Sequence, residues 1–302
     1  DKLDGKFAGL KGMNQGFAND MVNAIRKIKQ DFPNFKLNTI STGTNYTKAV
    51  LDDIITQISK SSYYQRQYNR YGELFKRNME RRIKKNFHLT NRGAVASFHH
   101  SKDFRWSVFD TDVKLSKYRG IVSKSGFRTR DVANTISEAK ELRRQEWWSL
   151  GSEKSAMKHT TFHELGHAVE NQIKFRDETE FIKYYRNLRS KGKDYSIKIG
   201  AKTETANDYI KSNLSEYGSI NAAEVIAESF AEYYVADNPR EISVKIVEMV
   251  KRYWQKNNKS YYIIKEQMKI NELFEEFGDD FNIVEAPFGG AVHTPEDDYI
   301  NF

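Results

Sequence analysis

The chain has 302 residues, 38% of them hydrophobic and 30% charged, with no cysteine and a net charge of +8 at pH 7. That apolar content supplies one large core or two modest ones and excludes a disordered or fibrous protein, while 17 glycines and 4 prolines exclude a collagen-like chain. The missing cysteine removes disulfide scaffolds, thiolate metal sites and cysteine nucleophiles together, so any metal must be held by His, Asp or Glu. The basic balance favours acidic partners, although an excess of this size reads first as a general surface property. No apolar run approaches the roughly 18 residues a membrane-spanning helix needs, and the mean hydropathy is -0.76. The start at Asp1, with no initiator Met and no signal-like stretch, reads as a mature form or a fragment.

Phe17, Met21, Ile25 and Ile28 recur at helical spacing and stop before Pro33, which predicts a short amphipathic helix. Val50, Leu51, Ile54, Ile55 and Ile58 predict a second helix after a polar stretch over 41–45. Arg66, Arg70, Lys76, Arg77, Arg81, Arg82, Lys84 and Lys85 stand against Glu73 and Glu80 and interleave with Tyr63, Tyr64, Tyr68 and Tyr71. This segment reads as a solvated helix face beside a packed one, with a nucleic-acid-binding helix as the alternative. From Gly93 onward, β-prone runs at Ala94 to Phe98, Trp106 to Phe109 and Tyr118 to Val122 predict strands of a small sheet. The alternation of Tyr195, Ile197 and Ile199 between Gly192 and Gly200 predicts a hairpin arm or part of an insert. Helices dominate thereafter. The best punctuated begins Asn238-Pro239-Arg240-Glu241, with an N-cap, a proline at the first helical position and a stripe of Ile242, Ile246, Val250 and Tyr253. The change from basic helix to strands near residue 90 divides the chain into an N-terminal helical region, 1–90, and a second domain, 91–302.

The segment His163-Glu164-Leu165-Gly166-His167 carries the chemistry. Residues four apart share one face of a helix, so two imidazoles can bind one metal while Glu164 reaches a water on it. Phe162, Leu165, Val169 and Ile173 supply the apolar stripe such a helix needs, and Gly166 admits a close neighbour. A catalytic zinc site takes three protein ligands. The extended pattern with a third histidine would place Gly at 170 and His at 173, where this chain has Glu170 and Ile173, so a carboxylate on a later helix is expected instead. Glu224 and Glu228 share a face in a segment whose Ala223, Ala227 and Ala231 allow close packing. Asn221 with Glu224 also forms a capping-box pattern, Glu228 and Glu232 also read as surface ion pairs, and Glu170 competes as ligand; spacing alone leaves these alternatives open. His159 reads as a neighbour of the site, His99 and His100 as loop histidines at a strand end or as cleft-lining groups, and Trp147 and Trp148 as core anchors, with a substrate platform as the alternative.

With the motif, Tyr217-Gly218, Asn221, Glu224, Ala227-Glu228 and Phe230 resemble the zinc core of gluzincin metalloproteases of the anthrax lethal factor and Pro-Pro endopeptidase type, over roughly residues 155 to 236. The resemblance implies an α+β, mostly helical zincin-like fold with a small mixed β-sheet and the His-Glu-x-x-His motif on its active-site helix. It implies one Zn²⁺ held by His163, His167 and Glu224, with Glu164 as general base. Tyr217 would turn its hydroxyl to the substrate carbonyl, and Glu228 would orient a ligand histidine. The expected activity is hydrolysis of peptide bonds in a specific protein substrate, lying along an exposed strand edge around Ala94, Phe98, Trp106 or Phe109. Similar cores occur in bacterial polymorphic toxins and in proteins encoded near phage head genes, which implies a secreted or delivered effector or a phage-associated protein. The alternative is a particle or toxin component whose basic N-terminal helices bind nucleic acid or a partner. Residues before 90 resemble neither the delivery nor the recruiting domains of lethal factor.

Overall fold

In the computed structural model, residues 7–86, 96–99, 104–106, 111–123, 129–199 and 207–257 are described. The strands are β1 (Phe7–Gly9), β2 (Thr39–Thr42), β3 (Ala96–His99), β4 (Phe104–Trp106), β5 (Thr111–Val113) and β6 (Gly120–Ser123). The helices are α1 (Gln15–Asp31), α2 (Gly43–Ile58), α3 (Ser62–Asn86), α4 (Thr129–Arg144), α5 (Ala156–Ile173), α6 (Thr179–Ile199), α7 (Asp208–Asn213), α8 (Ala222–Val235) and α9 (241–257). The described protein is mostly helical, with a small mixed sheet.

The sheet runs β1-β2-β6-β3, its first three strands parallel and β3 antiparallel on the edge, while β4 and β5 form a separate antiparallel pair. All four residues of β2 and of β6 are buried, as in a sheet covered on both faces. Alternation along β6 sends Ile121 to one apolar cluster and Val122 to the other. The first cluster joins α1, α5, α8 and α9 through Met21, Ile25, Phe162, Leu165, Phe230 and Trp254; the second joins α2 and α3 through Val50, Ile54, Ile58 and Ile83. Gly120 admits β2, since a Cβ there would stand 1.9 Å from the Thr39 carbonyl oxygen.

The α1 and α2 stripes are buried as their spacing predicts, with Asn14 and Thr42 as N-caps. Several expectations are corrected. Of the predicted Trp106–Phe109 strand, Trp106 belongs to β4, which also takes in Phe104 and Arg105, and residues 107–109 lie outside the described residues. Tyr118 belongs to a 3-10 turn, with β6 starting at Gly120. Tyr195, Ile197 and Ile199 continue α6 and form no hairpin arm. Helix α9 begins two residues after the Pro239 position expected for its start, and the Arg240 carbonyl accepts from Val244 N–H at 3.1 Å. Across the division near residue 90, β2 pairs with β6, and one compact unit spans Asp1–Gln255. Ala94, His100, Phe109 and residues 258–302 lie outside the described residues.

Candidate metal centre

Helix α5 crosses the interior with nearly all of its first four turns buried, His163 and Glu164 included. Its N-cap, Ser155, accepts from Lys158 N–H and donates to Asp20 of α1 at 2.9 Å, fixing the start of α5 against α1. On its other side α5 meets α8. A Cβ on Gly166 would lie 2.9 Å from Ala227 Cα and 3.1 Å from Phe230 Cβ, so the absence of a side chain sets the distance between these helices. Close contact is what allows a glutamate on α8 to reach imidazoles on α5.

At the start of α8, Asn221 Oδ1 accepts from the amides of Ala223 and Glu224 at 2.9 and 3.1 Å. Asn221 therefore caps the helix by itself, and the Glu224 side chain is turned toward the two histidines. His163 Nε2 and His167 Nε2 lie 3.2 Å apart, and Glu224 Oε2 lies 3.2 and 3.4 Å from them. Four ligands arranged tetrahedrally at about 2.0–2.1 Å from an ion stand about 3.3–3.4 Å from one another, which is close to this triangle. Glu224 Oε2 is buried, and neither short contact has hydrogen-bond geometry, so the oxygen has no hydrogen-bond partner. Three lone-pair donors converging on one point, one of them an orphaned carboxylate oxygen, form a group that can hold a metal ion.

Glu228, one turn along α8, is the anchor behind this triangle. Its Oε1 lies 2.9 Å from His163 Nδ1, and its Oε2 accepts from Ser149 N–H at 2.7 Å and from Ser215 Oγ at 3.0 Å. A proton on Nδ1 shared with this carboxylate leaves the Nε2 lone pair free to face Glu224 and His167. Burial works against the ionised form of Glu228, but His163 and the Ser149 amide outweigh it and hold the group at about 2. Glu224 is likewise held at about 2 by the two histidines against its own burial. Burial lowers the His163 proton affinity, and the Glu224 and Glu228 carboxylates more than reverse this, pushing it to about 10, so without an ion a proton takes the Nε2 position that a metal would otherwise occupy.

Glu164 Oε2 accepts the Phe98 amide of edge strand β3 at 2.6 Å. Burial raises its pKa, opposed by the two histidines and by this amide. Of the two expected edges, β3 is thus the one beside the motif; Trp106 lies in β4, which pairs with β5. The Tyr217 ring sits 5.5 Å from the His163 ring, and burial followed by the nearby Glu224 charge pushes its phenol up to about 12. The phenol therefore stays protonated as a donor at neutral pH.

The competing assignments resolve by position. Glu170 is buried and pairs with Arg176 at 2.5 Å. Glu228 and Glu232 are not surface ion pairs: both are buried, and Glu232 binds Arg240 while accepting from Leu150 N–H at 3.3 Å. His159 is a neighbour, its Nε2 2.9 Å from Ser149 Oγ, and burial lowers it to about 4. Trp147 and Trp148 are half-buried and, with Tyr217, wall a cavity of about 320 Å³ that opens beside His163 and Glu164, so the core-anchor expectation is corrected. Sequence reasoning missed Ser149 and Ser215, which grip Glu228 across 79 and 13 residues with no local pattern to mark them. It also missed the pairing of Glu216 and Tyr217 amides with the Glu146 and Trp147 carbonyls, at 2.9 and 3.0 Å, which ties the tyrosine loop to the tryptophan loop. No family model, curated protein or solved structure matches the chain.

Proposed function

We propose that the protein is a zinc-dependent endopeptidase of the two-His, one-Glu class with a zincin-like fold, similar to the lethal factor type. The observation that carries this reading is the triangle of His163, His167 and Glu224 donor atoms, spaced for one tetrahedral ion, with a buried carboxylate beside it. The mixed N and O donor set suits Zn²⁺, as expected for a chain without cysteine. Bound Zn²⁺ supplies Lewis-acid polarisation and lowers the pKa of a coordinated water to about 7.

The protein's own groups supply the rest. Glu164, held by the Phe98 amide through one oxygen, uses the other to take a proton from the attacking water and then delivers it to the leaving amine. Tyr217 donates its hydroxyl to the carbonyl oxygen as negative charge develops there. Glu228 keeps His163 in one tautomer and orientation. A peptide pairing along the edge of β3 runs past Glu164 with its scissile bond near the ligand set.

The test is a diverse peptide library incubated with zinc-loaded protein. Cleavage should disappear with a chelator and in Glu164→Gln, with that variant retaining its zinc by elemental analysis. A folded, zinc-loaded protein that cleaves no member would refute the reading. A second, compatible reading has the basic α3 bind a nucleic acid, favoured by the exposure of Arg66, Arg70, Arg77 and Arg81 on that helix. A salt-dependent mobility shift lost on neutralising Arg70, Arg77 and Arg81 tests it.

A further inference from the structure

We propose that the cavity beside the ligand set is a subsite for a cationic substrate side chain, arginine or lysine, adjoining the scissile bond. The proposal rests on the endopeptidase reading for the word substrate, but the site itself is argued from its walls.

The chain carries a net charge of +8, yet among the described residues no Lys or Arg lines this cavity, while Glu138, Glu164 and Glu228 do. Glu164 is occupied by the Phe98 amide, and Glu228 by Ser149, Ser215 and His163. Glu138, exposed on α4, pairs with no cation among the described residues. His159 is held neutral by burial and adds no positive charge at neutral pH, and His163 stands between the Glu224 and Glu228 carboxylates, which balance any charge on its ring. Among the described residues Glu138 therefore leaves this wall with an uncompensated negative charge in a molecule of net positive charge, which favours a cation.

The shape agrees. A volume of about 320 Å³ takes a long side chain with room to spare, and Leu142 offers an apolar surface for its methylenes. Indole faces attract guanidinium and ammonium groups. Both tryptophans are fixed before any ligand arrives: their amides reach the Leu142 carbonyl at 2.9 and 3.4 Å, and Trp148 stacks on His159 with centroids 5.7 Å apart. Ordering them therefore costs a ligand little.

The remaining observation is Thr160, which lines the cavity, is 8% exposed, and has a buried hydroxyl with no hydrogen-bond partner. An unsatisfied hydroxyl in this position suits a ligand that brings its own donors, as guanidinium and ammonium do. An apolar side chain would leave Thr160 unsatisfied and desolvate Glu138 without compensation.

The test has one arm independent of catalysis. The indole N–H signals of the zinc-loaded full chain, assigned through Trp147→Phe and Trp148→Phe, are followed during titration with N-acetyl-arginine methylamide and, separately, with the leucine analogue. The arginine probe should shift the Trp147 and Trp148 signals saturably, the leucine analogue should not, and Glu138→Gln and Thr160→Val should each weaken the arginine probe about tenfold. In the second arm, peptides differing only at the residues flanking the scissile bond are cleaved. Arg or Lys at one flanking position should raise kcat/KM over Leu or Phe about tenfold or more, and Glu138→Gln should shrink that ratio. Cleavage favouring Leu or Phe, with no tryptophan response to the arginine probe, would overturn the subsite and leave the endopeptidase reading standing. Probe binding sensitive to Glu138 without cleavage of any peptide would uphold the cation site and overturn the enzyme.

Discussion

Replacing Gly166 by alanine probes the link between helix packing and metal affinity. The new Cβ would lie 2.9 Å from the backbone Cα of Ala227, about 0.5 Å short of ordinary contact, and 3.1 and 3.2 Å from Phe230 Cβ and Cγ. Because the first obstacle is backbone, α8 itself must retreat, carrying Glu224 with it. Metal–ligand bonds tolerate only about ±0.2 Å, so a displacement near 0.5 Å is large on that scale. Stability alone discriminates poorly: overpacking costs about 1–3 kcal/mol, but alanine regains about 1 kcal/mol over glycine inside a helix. The metal-free variant should therefore lose about 0–2 kcal/mol in urea unfolding, while its Zn²⁺ affinity falls about 10–100-fold, the range seen when ligand orientation is disturbed. Competition against a chromophoric chelator measures the second quantity. A folded Gly166→Ala protein with wild-type Zn²⁺ affinity would refute the claim that this glycine sets the reach of Glu224.

Glu224→Ala should lose most of its bound metal while Glu164→Gln keeps it, so elemental analysis of the pair separates a ligand from a base; a fully loaded Glu224→Ala protein would remove Glu224 from the ligand set. Tyr217→Phe should lower kcat at similar KM, as expected for a group acting only on developing charge, and unchanged kinetics would exclude it from the mechanism. At the end of α1, Asp31 accepts from Lys27 and the Tyr234 hydroxyl and lies 3.0 Å from Lys251, and these partners lower its pKa despite burial. Because the folded value is depressed, its stabilising effect, on the order of 1 kcal/mol, is present above the ordinary value of 3.8 and fades as pH falls through the folded value. Urea unfolding of wild type and Asp31→Asn should thus differ at pH 6 and converge near pH 2; a gap independent of pH would sink the assignment.

The centre was more legible in the sequence than the fold. Four-residue spacing on one helix is a local signal, and it brought His163, Glu164 and His167 together without knowledge of tertiary structure. Glu224 was identifiable as a candidate because small residues flank it, although the capping alternative needed coordinates to resolve. What stayed hidden depended on distant partners. Strand β2 reads as polar because Thr39 and Ser41 satisfy their hydroxyls on the Lys117, Thr42 and Gly9 carbonyls, contacts that no local pattern encodes. The alternating Tyr195, Ile197 and Ile199 mimic a strand over five residues, too short a window to distinguish a period of two from the last turns of a 21-residue helix. Glu232 looked like a surface charge because its partner, Arg240, comes eight residues later, beyond the end of the helix.

The pairing of β2 with β6 has a practical consequence. A truncated protein starting at residue 91, chosen to isolate the metal-binding motif, would open the β6 edge to other chains and strip α1 from the flank of α5, including the Asp20 contact that holds its first turn. The histidines would then sit on a helix that has lost one of its two principal supports. The candidate metal site, though written in a few residues between 163 and 224, is held in shape by the whole folded unit, and screens of shorter fragments should expect aggregates.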